Sequence, residues 1–472
     1  MANTATQPDD NTQLRRAVTS SFFGSVIEYY DFLLYATAAA VVFSKVFFTD
    51  LDPLAGTVAS FGTFAAGYLA RPLGGIVFGH YGDRLGRKRM LVLTMTLMGV
   101  VSFLIGVLPT YEQVGSWAAV MLVLLRVLQG VAVGGEWGGA VLMSAEHART
   151  RRGLWASFTN AGAPFGMVLS TAALTGTGAV VGEEAFLAWG WRIPFLLSIL
   201  LLAVGLFVRM RVEETPVFAA AHREQPAAGS RLPLLDLLKR HPRNLLLAVG
   251  VGLAAFIAQG TLTTFLIAHG VQTGHDRQTV LNALTLSSAL AVIGIIGWSA
   301  LSDRVGRRPV VLVGAAAMAV FSFVLFPMVD AGSALLLTAA LVLGQSVIHP
   351  MMYGPLAALY AEMFSTRNRY TGASLGYQLS GMGAGLAPLL FAEIQRAAGG
   401  GATLVVSLVI AGFCVLTMVS ILLLGETSRQ SLSEEPEAPA GPPLPLAPLK
   451  GHSPPRFAGG TAAKSGQEPG SR

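Results

Sequence analysis

Of the 472 residues, 53% are hydrophobic and only 12% are charged. Soluble domains carry roughly twice that share of charge, which excludes a soluble enzyme or multidomain chain and predicts a membrane protein. The formal net charge of +6 and the pI of 9.6 do not point to nucleic acid, because the cations alternate loop by loop and form no single patch. The one cysteine, Cys414, excludes a disulfide framework and a cysteine-based metal cluster.

The chain opens on a polar stretch, MANTATQPDDNTQLRR. The apolar run after it is too long for a signal peptide and carries no small-residue cleavage site, so it reads as an uncleaved span. Twelve apolar segments follow one another, at residues 18–47, 54–79, 90–108, 117–143, 154–175, 187–208, 243–269, 279–301, 309–329, 334–362, 370–396 and 402–424. Each is long enough for a hydrocarbon core of roughly 30 Å. Helix is predicted throughout, since lipid satisfies no backbone polar group.

Lysine and arginine separate the loops into two sets. One set holds Arg15 and Arg16, the cations Arg84, Arg87, Lys88 and Arg89, then Arg149, Arg151 and Arg152, the basic residues from Arg209 to Arg243, Arg304 to Arg308, and Arg367 with Arg369; together these are 21 of the 32 basic residues. The alternate set holds only Lys45, Arg277 and Arg396. An excess of cations marks the cytoplasmic side, which places both termini and the middle loop there. The expected organisation is a cytoplasmic segment at 1–17, a six-helix half at 18–208, a central loop at 209–242, a second six-helix half at 243–424, and a proline-rich disordered tail at 425–472. Within the loop, LPLLDLLKRH suits a short helix lying on the membrane surface.

The two halves repeat. RPLGGIVFGHYGDRLGRKR, from Arg71 to Arg89, has a degenerate copy in SALSDRVGRRP, from Ser299 to Pro309. SAEHARTRRG, with Glu146 and Arg152, answers to YAEMFSTRNRYTG, with Glu362 and Arg369. In the first loop, Gly79, Gly82 and Gly86 permit a tight turn, Asp83 can face a helix N-terminus, and Arg84 and Arg87 can reach carboxylates or lipid phosphates. A nucleotide-binding loop is rejected, because no strand precedes it and no G-K-[ST] closes it. The plainer alternative is a loop that only sets topology. Ser299 replaces the first glycine in the second copy, which predicts a weaker latch there.

Charged residues inside apolar runs need partners or a water-filled cavity. In SVIEYYDFLLY, Glu28, Asp31 and Tyr35 fall on one helical face, and RVLQGVAVGGEWGGA carries Arg126, Gln129 and Glu136. For Glu136, a partner in Arg71 is considered. Gln259 and Thr263, and likewise Gln345, His349 and Tyr353, recur at four-residue spacing, which gives polar stripes on otherwise apolar spans. For His349, a structural histidine with locally satisfied nitrogens is the alternative to a ligand or proton relay. Asn160 and Gln378 are further polar candidates, and Pro164 predicts a bend. No nucleophile elbow, metal-ligand cluster or Walker loop is visible, so neither an enzyme nor an ATP-driven pump is expected.

GHYGDRLGRK fits G-x-x-x-D-R-x-G-R-[RK] and resembles the loop joining helices 2 and 3 in the major facilitator superfamily. RVLQG resembles the R-x-x-Q-G motif of its proton-coupled members, and IEYYDF, LQGVAVGGEWGGA, WGWRIPF and AEMFSTRNRYTGASLGYQ resemble the metabolite:proton symporters, a bacterial group with permeases for shikimate, 2-oxoglutarate, citrate, and proline or betaine. The resemblance implies an all-α polytopic fold of twelve transmembrane helices in two repeat-related halves, in a bacterial inner (plasma) membrane, working as a monomer. It implies proton coupling through Asp31, Glu28, Arg126 and Glu136, with an Asp31–Arg126 pair that opens on protonation. Substrate would be bound by Arg126, Gln129, Tyr35, Gln259, Gln345, His349 and Tyr353. Gating falls to Asp83, Arg84, Gly86, Arg87, Lys88, Glu146 and Arg152, and to Asp303, Arg304, Gly306, Arg307, Arg308, Glu362 and Arg369. The proton gradient is the energy source, no cofactor or metal is expected, and the partners are a small molecule, protons and lipid, not nucleic acid. Import of a small carboxylate is the leading expectation. Uptake of zwitterionic osmolytes, export of drug-like compounds, and a transport-dead sensor signalling through its tail are the alternatives.

Overall fold

Helices cover each predicted apolar run. The structure, a computed structural model, describes residues 10–85, 87–148, 150–210, 237, 239, 242–364 and 369–428, and among these no strand occurs. The central loop's amphipathic run and the tail beyond 428 lie outside the described residues. So do Gly86 and the side chains of Asp83, Arg84, Arg87, Lys88 and Glu146.

Seven described helices are long and apolar enough to cross a membrane, or eight if the bent pair Glu183–Gly190 and Arg192–Phe207 forms one span. The helices Asp10–Val41, Pro53–Leu85 and Arg369–Ala397 are as long but dilute their apolar residues with glycine, polar and charged ones. Those polar residues are inside. Glu28, Asp31, Arg71, Arg126 and Glu136 are all buried, whereas Val180, Leu246, Ile293, Val320 and Leu335 are among the large apolar side chains left most exposed. This inverted distribution is what a hydrocarbon solvent selects.

Small residues set the helix spacing. Where Pro53–Leu85 crosses Trp117–Gly134, a Cβ on Gly74 would overlap the Val131 carbonyl, and one on Gly130 the Gly67 carbonyl. Helix Arg152–Val181 lies against the first helix in the same manner, with Gly166 beside the backbone of Val26 and Tyr30. Without a hydrophobic force between helices in lipid, such close backbone approach supplies the packing energy. Pro164 sits inside this helix, which runs unbroken from Arg152 to Val181.

Two helix pairs form the seam between the halves: Arg152–Val181 with Arg277–Val305, and Pro53–Leu85 with Arg369–Ala397. The helices carrying the polar stripes each contain a π-helical stretch, Thr261–Phe265 and Val342–Ile348. Such widened turns frequently mark functional sites, because they re-aim the side chains around them.

Candidate functional site

The buried charges surround the first helix. Asp31 is buried, and its Oδ1 accepts a hydrogen bond from Ser198 Oγ. Ser102 lies within hydrogen-bonding reach of the same carboxyl, while Oδ2 has no partner. Arg126 is also buried. Its Nη1 donates to Gln129 Oε1, and Gln129 Nε2 donates to Ser102 Oγ at 2.7 Å.

The expected Asp31–Arg126 ion pair is therefore not formed. The two groups are joined indirectly: Arg126 donates to Gln129 and Gln129 to Ser102, and Ser102 stands beside the Asp31 carboxyl. Side chains on separate helices show no such bridging in the sequence, and Ser102 and Ser198 carried no signal there. The relay is incomplete at both ends: Asp31 Oδ2 at one, Arg126 Nε and Nη2 at the other. Aromatic faces replace the missing counter-ion, since the Arg126 guanidinium lies 3.7 Å from the Phe32 ring centre and 4.2 Å from that of Tyr35. Tyr35 thus walls in the guanidinium, and its hydroxyl donates to Thr63 Oγ1 at 2.7 Å.

Arg71 takes a neighbouring position, 4.1 Å from the same Phe32 ring and 4.5 Å from Tyr68. Glu28 is an acidic neighbour of Arg71. Glu136 sits at a break between helices Trp117–Gly134 and Trp137–His147. The carbonyls freed by that break are taken across the seam. Gln378 Nε2 donates to Gly134 O at 3.1 Å and Tyr370 Oη to Gly135 O at 3.1 Å.

The polar stripes meet at one cavity. Gln259, Thr263, Gln345, His349 and Tyr353 line it with Leu33, Ala163, Pro164, Met167, Ala291 and Ile295. Thr263 donates to the Gln259 carbonyl at 2.8 Å, so its hydroxyl oxygen remains an acceptor. The His349 ring lies beside the Ala255 backbone and stacks on Tyr353, while Nε2 has no partner. Every polar group lining the cavity is an amide, a hydroxyl or an imidazole. Arg126, Gln129 and Tyr35 do not line it; the first helix stands between, with Leu33 on the cavity side and Phe32 on the guanidinium side.

Beside the cavity lies an aromatic cluster that the sequence reading missed. The hydroxyls of Tyr29 and Tyr377 are 2.5 Å apart and those of Tyr353 and Tyr377 2.8 Å. Trp137 stacks on Tyr377 at 3.6 Å, and Asn160 Nδ2 donates to Tyr353 O at 2.9 Å.

The second-copy latch is formed with Ser299 at its first position. Asp303 accepts from the backbone N–H groups of Gly153 at 2.8 Å and Leu154 at 2.9 Å, so it caps a helix of the other half where the macrodipole favours an anion. Arg151, at the N-cap of that helix, has φ 52°, a left-handed conformation that non-glycine residues hold only when their surroundings require it. Arg307 pairs with Asp303 at 2.7 Å and with Glu362 at 3.2 Å. Gly306 has φ 102°, and a Cβ there would press on the Glu426 carboxylate, 2.6 Å away. Glu426 accepts from the N–H groups of Arg307 at 2.9 Å and Arg308 at 3.1 Å. Burial pushes its pKa up, but the backbone donors outweigh this and hold it below the usual glutamate value. Arg304 is exposed, Arg152 lies in the electrostatic field of Glu362, and Arg369 Nε donates to Phe364 O at 3.2 Å.

A family model, Major Facilitator Superfamily, matches residues 21–388 and 273–458. The chain belongs to the major facilitator superfamily. Within it, the chain groups with metabolite:proton symporters. It is 38% identical over 432 residues to the shikimate transporter of Escherichia coli (strain K12), covering 90% of this chain and 98% of that protein. It is 37% identical over 425 residues to the inner membrane metabolite transport protein YhjE of Escherichia coli (strain K12), covering 88% and 95%. To the proline/betaine transporter of Salmonella typhimurium (strain LT2) it is 34% identical over 394 residues, covering 81% and 78%. Among solved structures, the proton:xylose symporter XylE bound to 6-bromo-6-deoxy-D-glucose aligns with a TM-score of 0.69 at 17% identity, over 90% of this chain and 99% of that one; this likeness shows the fold. As a facilitator, the chain is an integral membrane transporter and not an enzyme.

Proposed function

We propose that this facilitator is a proton-coupled symporter importing a small organic carboxylate, such as shikimate or a related mono- or dicarboxylate, across a bacterial inner membrane. In this reading twelve spans form two six-helix halves, 18–208 and 243–424, with both termini cytoplasmic, and the halves rock about the cavity between them.

The carrying observation is the relay that lacks a partner at both ends. A carboxylate in the membrane interior with no cation in contact favours its neutral, protonated form. Asp31 is thus the proton site, with Oδ2 as its open atom. Nε and Nη2 of Arg126 are the two parallel donors along one edge of the guanidinium, the geometry that matches a carboxylate. Binding the substrate anion completes Arg126, and binding the proton completes Asp31. The hydrogen bonds through Gln129 and Ser102 make each event felt at the other end. Neither alone leaves the buried groups satisfied, so the closed state favours both together. The neutral cavity supplies donors and acceptors for substrate hydroxyls, and Arg126 is reached when the first helix shifts during the cycle.

The aromatic cluster favours one second reading. Tyr29, Tyr353, Tyr377 and Trp137, with Phe256 edge-on to Tyr353 and Tyr377, could face a quaternary ammonium, as a betaine would require, with Arg126 still holding its carboxylate. Uptake by a transport-deficient host, screened against labelled carboxylates and betaines at two external pH values, separates these. The first reading expects acid-stimulated uptake of a hydroxylated carboxylate that betaine does not displace. Uptake displaced by betaine or proline and not by shikimate would replace it with the second, and acid-inhibited uptake would remove both.

A further inference from the structure

The helices Arg152–Val181 and Arg277–Val305 come from opposite halves, and polar rungs join them, or the turn that follows the first, at three levels. At one end Asp303 caps Gly153 and Leu154. Between this rung and the next, Ala163, Pro164 and Met167 of one helix and Ala291 and Ile295 of the other line the cavity. Beyond the cavity Thr285 Oγ1 donates to Thr171 Oγ1 at 2.8 Å. At the far end Arg277 Nη2 meets Glu183 Oε2 at 2.5 Å. From Asp303 to Arg277 the helix rises about 39 Å at roughly 1.5 Å per residue, so these end rungs bracket the substrate cavity.

Arg277 is more than a rim charge. Its side chain is 13% exposed against 59% for Glu183, and its guanidinium lies 4.5 Å above the Phe186 ring. Nε and Nη1 have no partner, so the Glu183 carboxylate is the ion-pair partner of the guanidinium among the described residues. Next to the clamp a second contact crosses the seam, from Gln272 Nε2 to Thr57 Oγ1 at 3.3 Å. Between Thr57 and Gln272 lies a small cavity lined from both halves by Leu54, Phe61, Phe265, Ala268, His269 and Gln395.

We infer that Arg277, Glu183 and Phe186 form the outer clamp of the transport cycle, the counterpart of the Asp303 latch, and that opening the cavity outward requires the Arg277–Glu183 pair to part. The inference rests on the transport reading and on the loop charges that place this end outside. The exposed partner sets the strength, because a partly solvated ion pair is weak enough to break in every cycle. The inner latch, with a helix N-terminus and the acids Asp303 and buried Glu362 around Arg307, holds more firmly, so the resting protein opens outward first. Arg277 and Glu183 are positioning residues, since neither reaches the cavity.

The test reads opening directly. Ala268 is buried beside the outer seam, and native Cys414 is buried, so an Ala268→Cys reporter is labelled by a membrane-impermeant maleimide only when the outer seam opens. Arg277→Glu and Glu183→Arg should each raise the labelling rate on the order of fivefold, the population shift that a pair at the upper end of the exposed range allows. The double reversal should return it to within about twofold of the parent. The neutral variants Arg277→Gln and Glu183→Gln should move the rate in the same direction by about twofold, which keeps the clamp readable if a reversed chain fails to assemble. Single variants labelled at the parent rate, or a double reversal labelled as fast as the singles, would overturn the clamp. Labelling needs no substrate, so a failure of carboxylate and betaine uptake would count against the transport reading while leaving this result standing.

Discussion

The first helix has a charged side and a neutral side, and the two are built differently. Phe32 and Tyr35 face Arg126, and Asp31 reaches Ser198; here open valences sit on Asp31 and on Arg126, with Gln129 and Ser102 between them. Leu33 faces the cavity, where amides, a threonine and a histidine converge with no charge among them. The charges belong to the N-terminal half and the neutral stripe to the C-terminal half. Recognition of substrate hydroxyls is thereby separated from coupling to the proton, and a facilitator can change its cargo on one side without disturbing its energy source on the other.

That separation is most severely strained by Arg126→Gln, which removes the charge and both open donors. Carboxylate uptake should fall about a hundredfold, the loss of two charge-assisted hydrogen bonds, while any uptake of an uncharged analogue persists; equal loss of both would place Arg126 in packing alone. Gln345→Leu and His349→Leu act on the neutral side. Each should weaken hydroxylated substrates by about tenfold and alter which analogues compete, with the external pH dependence unmoved. A shifted pH profile would merge the two sides. Smaller still is the effect of Ser102→Ala or Gln129→Leu, which cut the relay between its ends. Accumulation driven by a pH gradient should drop about fivefold, roughly the worth of one hydrogen bond, at unchanged counterflow exchange, measured with the same labelled substrate in both assays.

Much of this was legible in the sequence, for reasons that particular residues show. Periodicity and loop charge placed the helices, because lipid leaves few alternatives. The stripes Gln259–Thr263 and Gln345–His349–Tyr353 converge as their spacing implied, since four-residue steps survive folding into a helix. Partners on different helices were not legible. The spacing of Asp31 and Arg126 cannot show that Gln129 and Ser102 intervene, nor that Arg71 faces Glu28. The sequence offered only residue types at the second latch, such as Ser299, whereas that latch depends on Asp303 meeting a helix end 150 residues away in sequence. The π-helical turns at Thr261–Phe265 and Val342–Ile348 have no local signature, and Arg277 had read only as one of a few cations in the outer loops.

The central claim is that Asp31 carries the proton whose binding the relay reports to Arg126. It is tested most directly by Asp31→Asn, assayed in the same vesicles for accumulation under an imposed pH gradient and for counterflow exchange without one. A one-proton symporter gains roughly tenfold accumulation per unit of pH gradient. The account predicts that this gain disappears in the variant while exchange continues near the parent rate. Accumulation that still follows the gradient would contradict it.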